Sequence, residues 1–133
     1  MGIVSSYTDK GKDVLYLLFR LVFGGLFFVH GLMKFGFLGG MSFELASMMG
    51  VAGVLEILIG AALVLGLFSR LAGVIGVVEM LVAYFTVHFP QGVNPLQNGG
   101  ELALLYFAAF LVVIIVGNGA WNAEKALLKK EMF

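Results

Sequence analysis

VFGGLFFVHGLMKFG, residues 22–36, is apolar enough for the interior of a bilayer, yet it carries His30 and Lys34 one helical turn apart. Such a run is either the buried helix of a soluble protein or a membrane span, and the rest of the chain decides between them. The chain has 133 residues, of which 61% are hydrophobic and only 12% charged. Soluble domains carry about 25% charged residues, and one this small lacks the interior volume to hide so much apolar surface. Its mean hydropathy is +1.05. The bilayer is the solvent that accommodates the excess.

Three further runs resemble the first, so an all-α, four-transmembrane-helix bundle is predicted. Its helices fall over about 14–36, 49–68, 71–89 and 101–120, with a tail over 121–133, all in one domain spanning 1–133. The runs do not alternate apolar with polar residues, which disfavours a strand barrel, and open backbone cannot sit in lipid. The first run extends past signal-peptide length, and no small-residue cleavage site follows it. Ser69-Arg70 reads as a tight hairpin, and Pro90, Pro95 and Gly99-Gly100 interrupt helix between the third and fourth runs. Gly39-Gly40 is expected to stop the first helix, and Ser42 to cap a short turn holding Phe43 and Leu45.

The formal net charge is zero, so no basic excess points to nucleic acid. The chain has no cysteine, which excludes disulfides and thiolate metal sites within it. Four spans put both termini and the Ser69-Arg70 turn on one side. Lys10, Lys12, Arg20, Arg70, Lys125, Lys129 and Lys130 then share that side, seven of the eight basic residues, against Lys34 on the other. This bias predicts cytoplasmic termini in a multi-pass plasma-membrane protein, with Trp121 at the interface and the tail lying on the surface as a basic amphipathic helix.

Depth counted at about 1.5 Å per residue brings the ionisable side chains to two levels. His30, Lys34, Glu56, Tyr84, His88 and Glu101 come from all four helices and converge on the outer half. Arg20 and Glu79 lie deeper toward the inner side and are expected to form a structural ion pair. Plainer readings exist for some of these. Lys34 could snorkel outward, His88 could be merely interfacial, and Glu101 fits the dipole of a helix start. Glu56, with apolar neighbours on both sides, needs a partner. Ionisable groups inside a membrane default to a functional hypothesis.

In order and spacing these residues resemble the DoxX family of small membrane proteins. RLVFGGLFFVHGLMKFG supplies Arg20, Gly24, His30, Gly31 and Lys34, and EILIGAALVLGLFSRLAG supplies Glu56, Gly60, Gly66, Arg70 and Ala72. GGELALLYF adds Gly100 and Glu101. GNGAWNAE is similar to the family's terminal Gly-Pro-Gly-Arg-Trp-Ser-x-Asp but departs at Asn118, Ala120, Asn122 and Glu124. The resemblance spans about residues 15–124. It implies a four-helix membrane protein, and for some relatives a place in thiosulfate:quinone oxidoreductases or in redox and thiol-stress systems.

Two functional readings follow. In the first, the chain is a quinone-associated subunit of a redox system. His30, Glu56 and Glu101 would be its catalytic acid–base groups, and Lys34, Tyr84, His88 and Tyr106 would contact the quinone. No intrinsic cofactor or metal site is expected, so a protein partner must supply the electrons. In the second, it is a non-catalytic membrane anchor, assembly factor or small-ligand-binding subunit, in which the polar residues lock the bundle. Membrane lipids and a protein partner or a second copy are the expected contacts in both. A haem held by His30 and His88 is a remaining alternative; a di-metal carboxylate site lacks its Glu-x-x-His signature.

Overall fold

A computed structural model describes residues 3–130. Five α-helices follow one another among them: α1 (Ile3–Met33), α2 (Met48–Leu65), α3 (Ser69–Ala83), α4 (Glu101–Val116) and the short α5 (Ala123–Leu128). No strand occurs among the described residues, where the only pairing is an isolated bridge between Phe35 and Ser42. Thr8–Met33, Met48–Leu65 and Ser69–Gln91 are long and apolar enough to cross a membrane, and α4 is a shorter apolar helix. At about 1.5 Å per residue, the 16 residues of α4 reach about 24 Å.

The ends of these helices have local causes. α1 begins well before the apolar run expected from residue 14, because nothing in its polar first turns breaks helix. Gly36 (φ 86°) then turns the chain. Ser47, not Ser42, caps the next helix: its Oγ accepts a hydrogen bond from the Gly50 N–H at 3.0 Å. α3 does not run to residue 89 as α-helix. It loosens into a π-helical turn over Tyr84–His88 and closes as a 3₁₀ turn over Phe89–Gln91, where Pro90 can donate no hydrogen bond to an earlier carbonyl. α4 stops at Val116 because Gly117 (φ 78°) leaves the helical region.

The bundle is built from two tightly packed pairs, α1 with α2 and α3 with α4. α1 and α2 approach through glycine: a Cβ on Gly31 would stand 2.7 Å from the Gly53 carbonyl oxygen and from Ile57 Cγ1. Aromatic rings join α1 to α4. Phe27 meets Tyr106 at 4.9 Å and Phe110 edge-on at 5.0 Å between ring centroids. Phe27, Leu63, Phe110 and Val113 are almost fully buried, whereas Leu15, Leu58, Ile115 and many other aliphatic side chains face outward. An apolar exterior over an apolar core is the arrangement a hydrocarbon solvent permits.

At the end that carries the termini, Arg20 is 2% exposed, and its bonds differ from those expected. Its Nε donates to the Leu63 carbonyl at 2.7 Å, and its Nη1 donates to the Asn118 carbonyl. The Asn118 side chain in turn accepts from the Ser69 N–H at 3.1 Å. Arg20 therefore lies level with Ser69, ten residues and about 15 Å along α3 from Glu79. The Arg20–Glu79 ion pair is not formed. Counting depth from the edges of apolar runs puts the two at one level by setting Val14 beside the start of α3, whereas α1 begins at Ile3 and it is Arg20 that lies there.

The tail also departs from a solvated surface helix. Asn122 caps α5 by accepting from the Lys125 N–H at 2.7 Å. Glu124, 0% exposed, accepts from Asn118 Nδ2, and its own N–H donates to the Gly66 carbonyl at 3.2 Å. Gly66 sits in the α2–α3 turn at φ 72°, and a Cβ there would stand 2.6 Å from Asn122 Cβ. Residues 131–133, the end of the expected tail, lie outside the described residues.

Gly31→Val tests the α1–α2 approach. Overpacking of this kind costs about 1–3 kcal/mol, so the unfolding midpoint in mixed detergent micelles should fall clearly below that of the parent. An unchanged midpoint would show that the helices separate without penalty.

Candidate functional site

The end of the bundle opposite the termini holds a cavity of about 260 Å³. Its wall is largely apolar, with Phe27, Met80, Leu102 and Ala103 among the lining residues. His30 enters from α1, Lys34 from the turn just after it, Glu56 from α2, Glu79 from α3, His88 from the π-helical turn and Tyr106 from α4. Each polar side chain is delivered by helix register. His30 lies in the last turn of α1, and Lys34 follows one residue past its end, where its N–H still bonds the Gly31 carbonyl at 3.2 Å. The π-helical turn re-aims α3 just where His88 is needed, as such turns do near functional sites.

The strongest polar contact is between Lys34 and Glu56. Lys34 Nζ lies 2.9 Å from Oε1 and 2.8 Å from Oε2, with the two side chains 17% and 7% exposed. The ammonium thus bonds both carboxylate oxygens across the α1–α2 seam instead of reaching outward. His30 meets the Tyr106 ring edge-on at 5.9 Å. His88 Nδ1 lies 3.3 Å from the Asn98 carbonyl, which ties it to the α3–α4 connection. Asn98 itself is buried and donates through Nδ2 to the Gly92 carbonyl at 2.9 Å, while its Oδ1 accepts from the Gly100 N–H at 2.8 Å. That loop is anchored over the cavity.

The cavity gathers His30, Lys34, Glu56, His88 and Tyr106 from the residues singled out in the sequence. It does not gather Tyr84 or Glu101. Tyr84 is buried behind the wall, its ring 6.5 Å from that of His88, and its hydroxyl receives a long 3.4 Å bond from Asn98. Glu101 is exposed at the start of α4. A helix-start carboxylate is favoured there by the dipole alone.

Glu79 is the residue that depth counting misplaces. Both of its carboxyl oxygens are buried, and no group among the described residues hydrogen-bonds either one. The sequence does carry a signal for it. Glu56 stands ten residues before Gly66 and Glu79 ten residues after Ser69. In an antiparallel hairpin, residues equidistant from the turn lie side by side. Counting from the hairpin, not from the apolar edges, puts the two carboxylates at one height.

The DoxX family model matches residues 15–89. The chain belongs to the DoxX family. It is also 38% identical over 130 residues to an uncharacterized protein of Haemophilus influenzae, across 92% of this chain and 97% of that protein. A second uncharacterized protein of the same organism is 28% identical over 75 residues, 56% of this chain and 49% of that protein. No solved structure matches. The family match contains α2, α3 and the apolar part of α1, and with them five of the six polar side chains at the cavity; Tyr106 on α4 lies beyond it. Family and apolar helices together describe a multi-pass membrane protein of the DoxX type.

A double-mutant cycle measures the Lys34–Glu56 pair. Lys34→Met leaves a buried carboxylate alone and should cost about 3–5 kcal/mol, whereas Lys34→Met with Glu56→Leu should recover most of that loss. Micellar unfolding curves of the parent, the single variants and the double variant check this. Additive single-variant losses would mean that the pair is not coupled.

Proposed function

We propose that this protein is the membrane-embedded subunit of a redox system, and that its cavity holds the ring of a quinone. One observation carries the reading. An apolar cavity of ring-sized volume presents two imidazoles, a phenol, a lysine–glutamate pair and a carboxyl that no described residue hydrogen-bonds. A bound quinone takes up two electrons and two protons when reduced, so its oxygens need hydrogen-bonding and proton-exchanging groups in an otherwise dry slot.

The residues divide these tasks. His30 and Tyr106 offer hydrogen bonds to ring oxygens, and an imidazole can both accept and donate a proton. Lys34, held by Glu56, places a positive charge where negative charge would develop. Glu79 supplies an open carboxyl for proton exchange, and His88 connects the cavity toward the α3–α4 loop. Electrons come from a protein partner, because the chain has no cysteine to ligate a cluster. The basic residues gathered at the terminal end support cytoplasmic termini in a plasma membrane.

A non-catalytic anchor or assembly role draws support from the Lys34–Glu56 pair, which ties α1 to α2 whether or not a ligand is present. One experiment separates the two readings. The complex purified with its partners is treated with a photoreactive quinone, and quinone turnover is compared for the parent, His30→Ala and Glu79→Gln. The redox reading expects cavity peptides to carry label that excess quinone displaces. It also expects turnover per assembled complex to fall about 100-fold in at least one variant. No displaceable label, with turnover intact in both variants, would leave the anchor role.

A further inference from the structure

We propose that a membrane-dissolved amphiphile enters the cavity sideways, between α2 and α3. Its hydrocarbon tail would remain in the groove there, and its polar head would pass Glu79. This rests on the reading that the cavity takes a lipid-soluble ring compound, and it adds the route and the seat of the tail. A groove of about 360 Å³ runs along the outer α2–α3 face, lined by aliphatic side chains that include Leu55, Ile75 and Val78. Ala52 and Glu79 line both this groove and the cavity. A methyl group and a carboxyl are thus shared by the two walls. α2 and α3 pack less extensively than α1 with α2 or α3 with α4; α1 and α4 are more loosely packed still, so the choice between the two seams rests on the side chains that stand in them.

Glu79 gives the seam its meaning. It is the one ionisable side chain in the groove lining, and its oxygens are buried without a hydrogen-bond partner among the described residues. Burying such a group without a bond is costly, and a carboxyl at a lipid-facing seam is a further burden. A ligand head that bonds the carboxyl as it enters the cavity removes the deficit. The aliphatic groove suits an alkyl or isoprenoid-like chain and offers nothing to a second polar group. The competing seam, between α1 and α4, also reaches the cavity lining, at Leu102 and Tyr106. There the way is closed by the Tyr106 ring, which is 4% exposed and packed 5.9 Å from Phe23 and 4.9 Å from Phe27.

The absence of cysteine makes the route measurable without a ligand. Ala103→Cys places one thiol on the α4 wall of the cavity, at a residue that does not line either groove. The full chain, reconstituted in vesicles, is treated with an alkyl maleimide dissolved in the lipid or with a charged, water-soluble thiosulfonate. The lateral route expects rapid labelling by the lipid-borne reagent and slow labelling by the aqueous one. Ala52→Phe should slow the lipid-borne reaction about tenfold, a barrier increase of about 1.4 kcal/mol. Ala52→Leu should give a smaller slowing, and Leu102→Phe, at the α1–α4 seam, should give none. Micellar unfolding curves confirm that each variant compared is folded. Equal rates for both reagents, or insensitivity to both Ala52 substitutions, would overturn the lateral route, as would slowing by Leu102→Phe alone. Loss of displaceable quinone photolabelling with this pattern intact would remove the quinone and leave the route.

Discussion

Charge in hydrocarbon must find a partner, and the bidentate bond from Lys34 to Glu56 is where this chain meets that demand most directly. The bond crosses from α1 to α2 at the height where Gly31 lets the two backbones close in. Each feature depends on the other. Without the close approach the ammonium would not span the seam, and without the pair the glycine-lined contact would face an uncompensated carboxylate. The cavity lies beside this contact, so its shape and its electrostatics share one origin.

The same demand is met differently at the terminal end. Arg20 bonds backbone carbonyls near the ends of α2 and α4, Tyr16 donates to the Gly117 carbonyl, and Arg70 donates to the Ile114 carbonyl at 3.1 Å. Helix C-termini leave carbonyls without intrahelical donors, and a guanidinium is suited to reach several of them. Asn118 and Glu124 extend this network into α5. Together they form a buried latch that pins the tail to the α2–α3 turn. The latch satisfies its charged and amide side chains within the protein, leaving the Ser69 hydroxyl as its one buried group without a bond among the described residues. The cavity leaves Glu79 open, and that contrast separates a structural cluster from a candidate binding site.

Much of the fold is legible in the sequence. Apolar runs of spanning length, the paucity of charge and the hairpin at Ser69 identify a helical membrane bundle, because few other folds tolerate such a composition. Residues four apart on one helix, such as Ala52 and Glu56, share a face by geometry alone. The level of one helix against another is less accessible. α1 starts in a polar stretch that hydropathy does not mark, so depths counted from apolar edges slide by several residues and assign Glu79 to Arg20 in place of the cavity. Ten residues on either side of the Gly66–Ser69 turn place it beside Glu56.

The sequence by itself determined the solvent, the helical class and which side chains are too costly to leave in lipid. Those follow from transfer free energies and local periodicity, which belong to each residue. Only the tertiary structure decided which costly groups meet. It joined Lys34 to Glu56, sent Arg20 to carbonyls, buried Glu124 beneath the turn and left the Glu79 oxygens at a seam with no bond from any described residue. Pairing depends on rotation and axial offset between helices, set by glycine contacts, ring packing and a π-helical turn whose effects add up over the whole bundle.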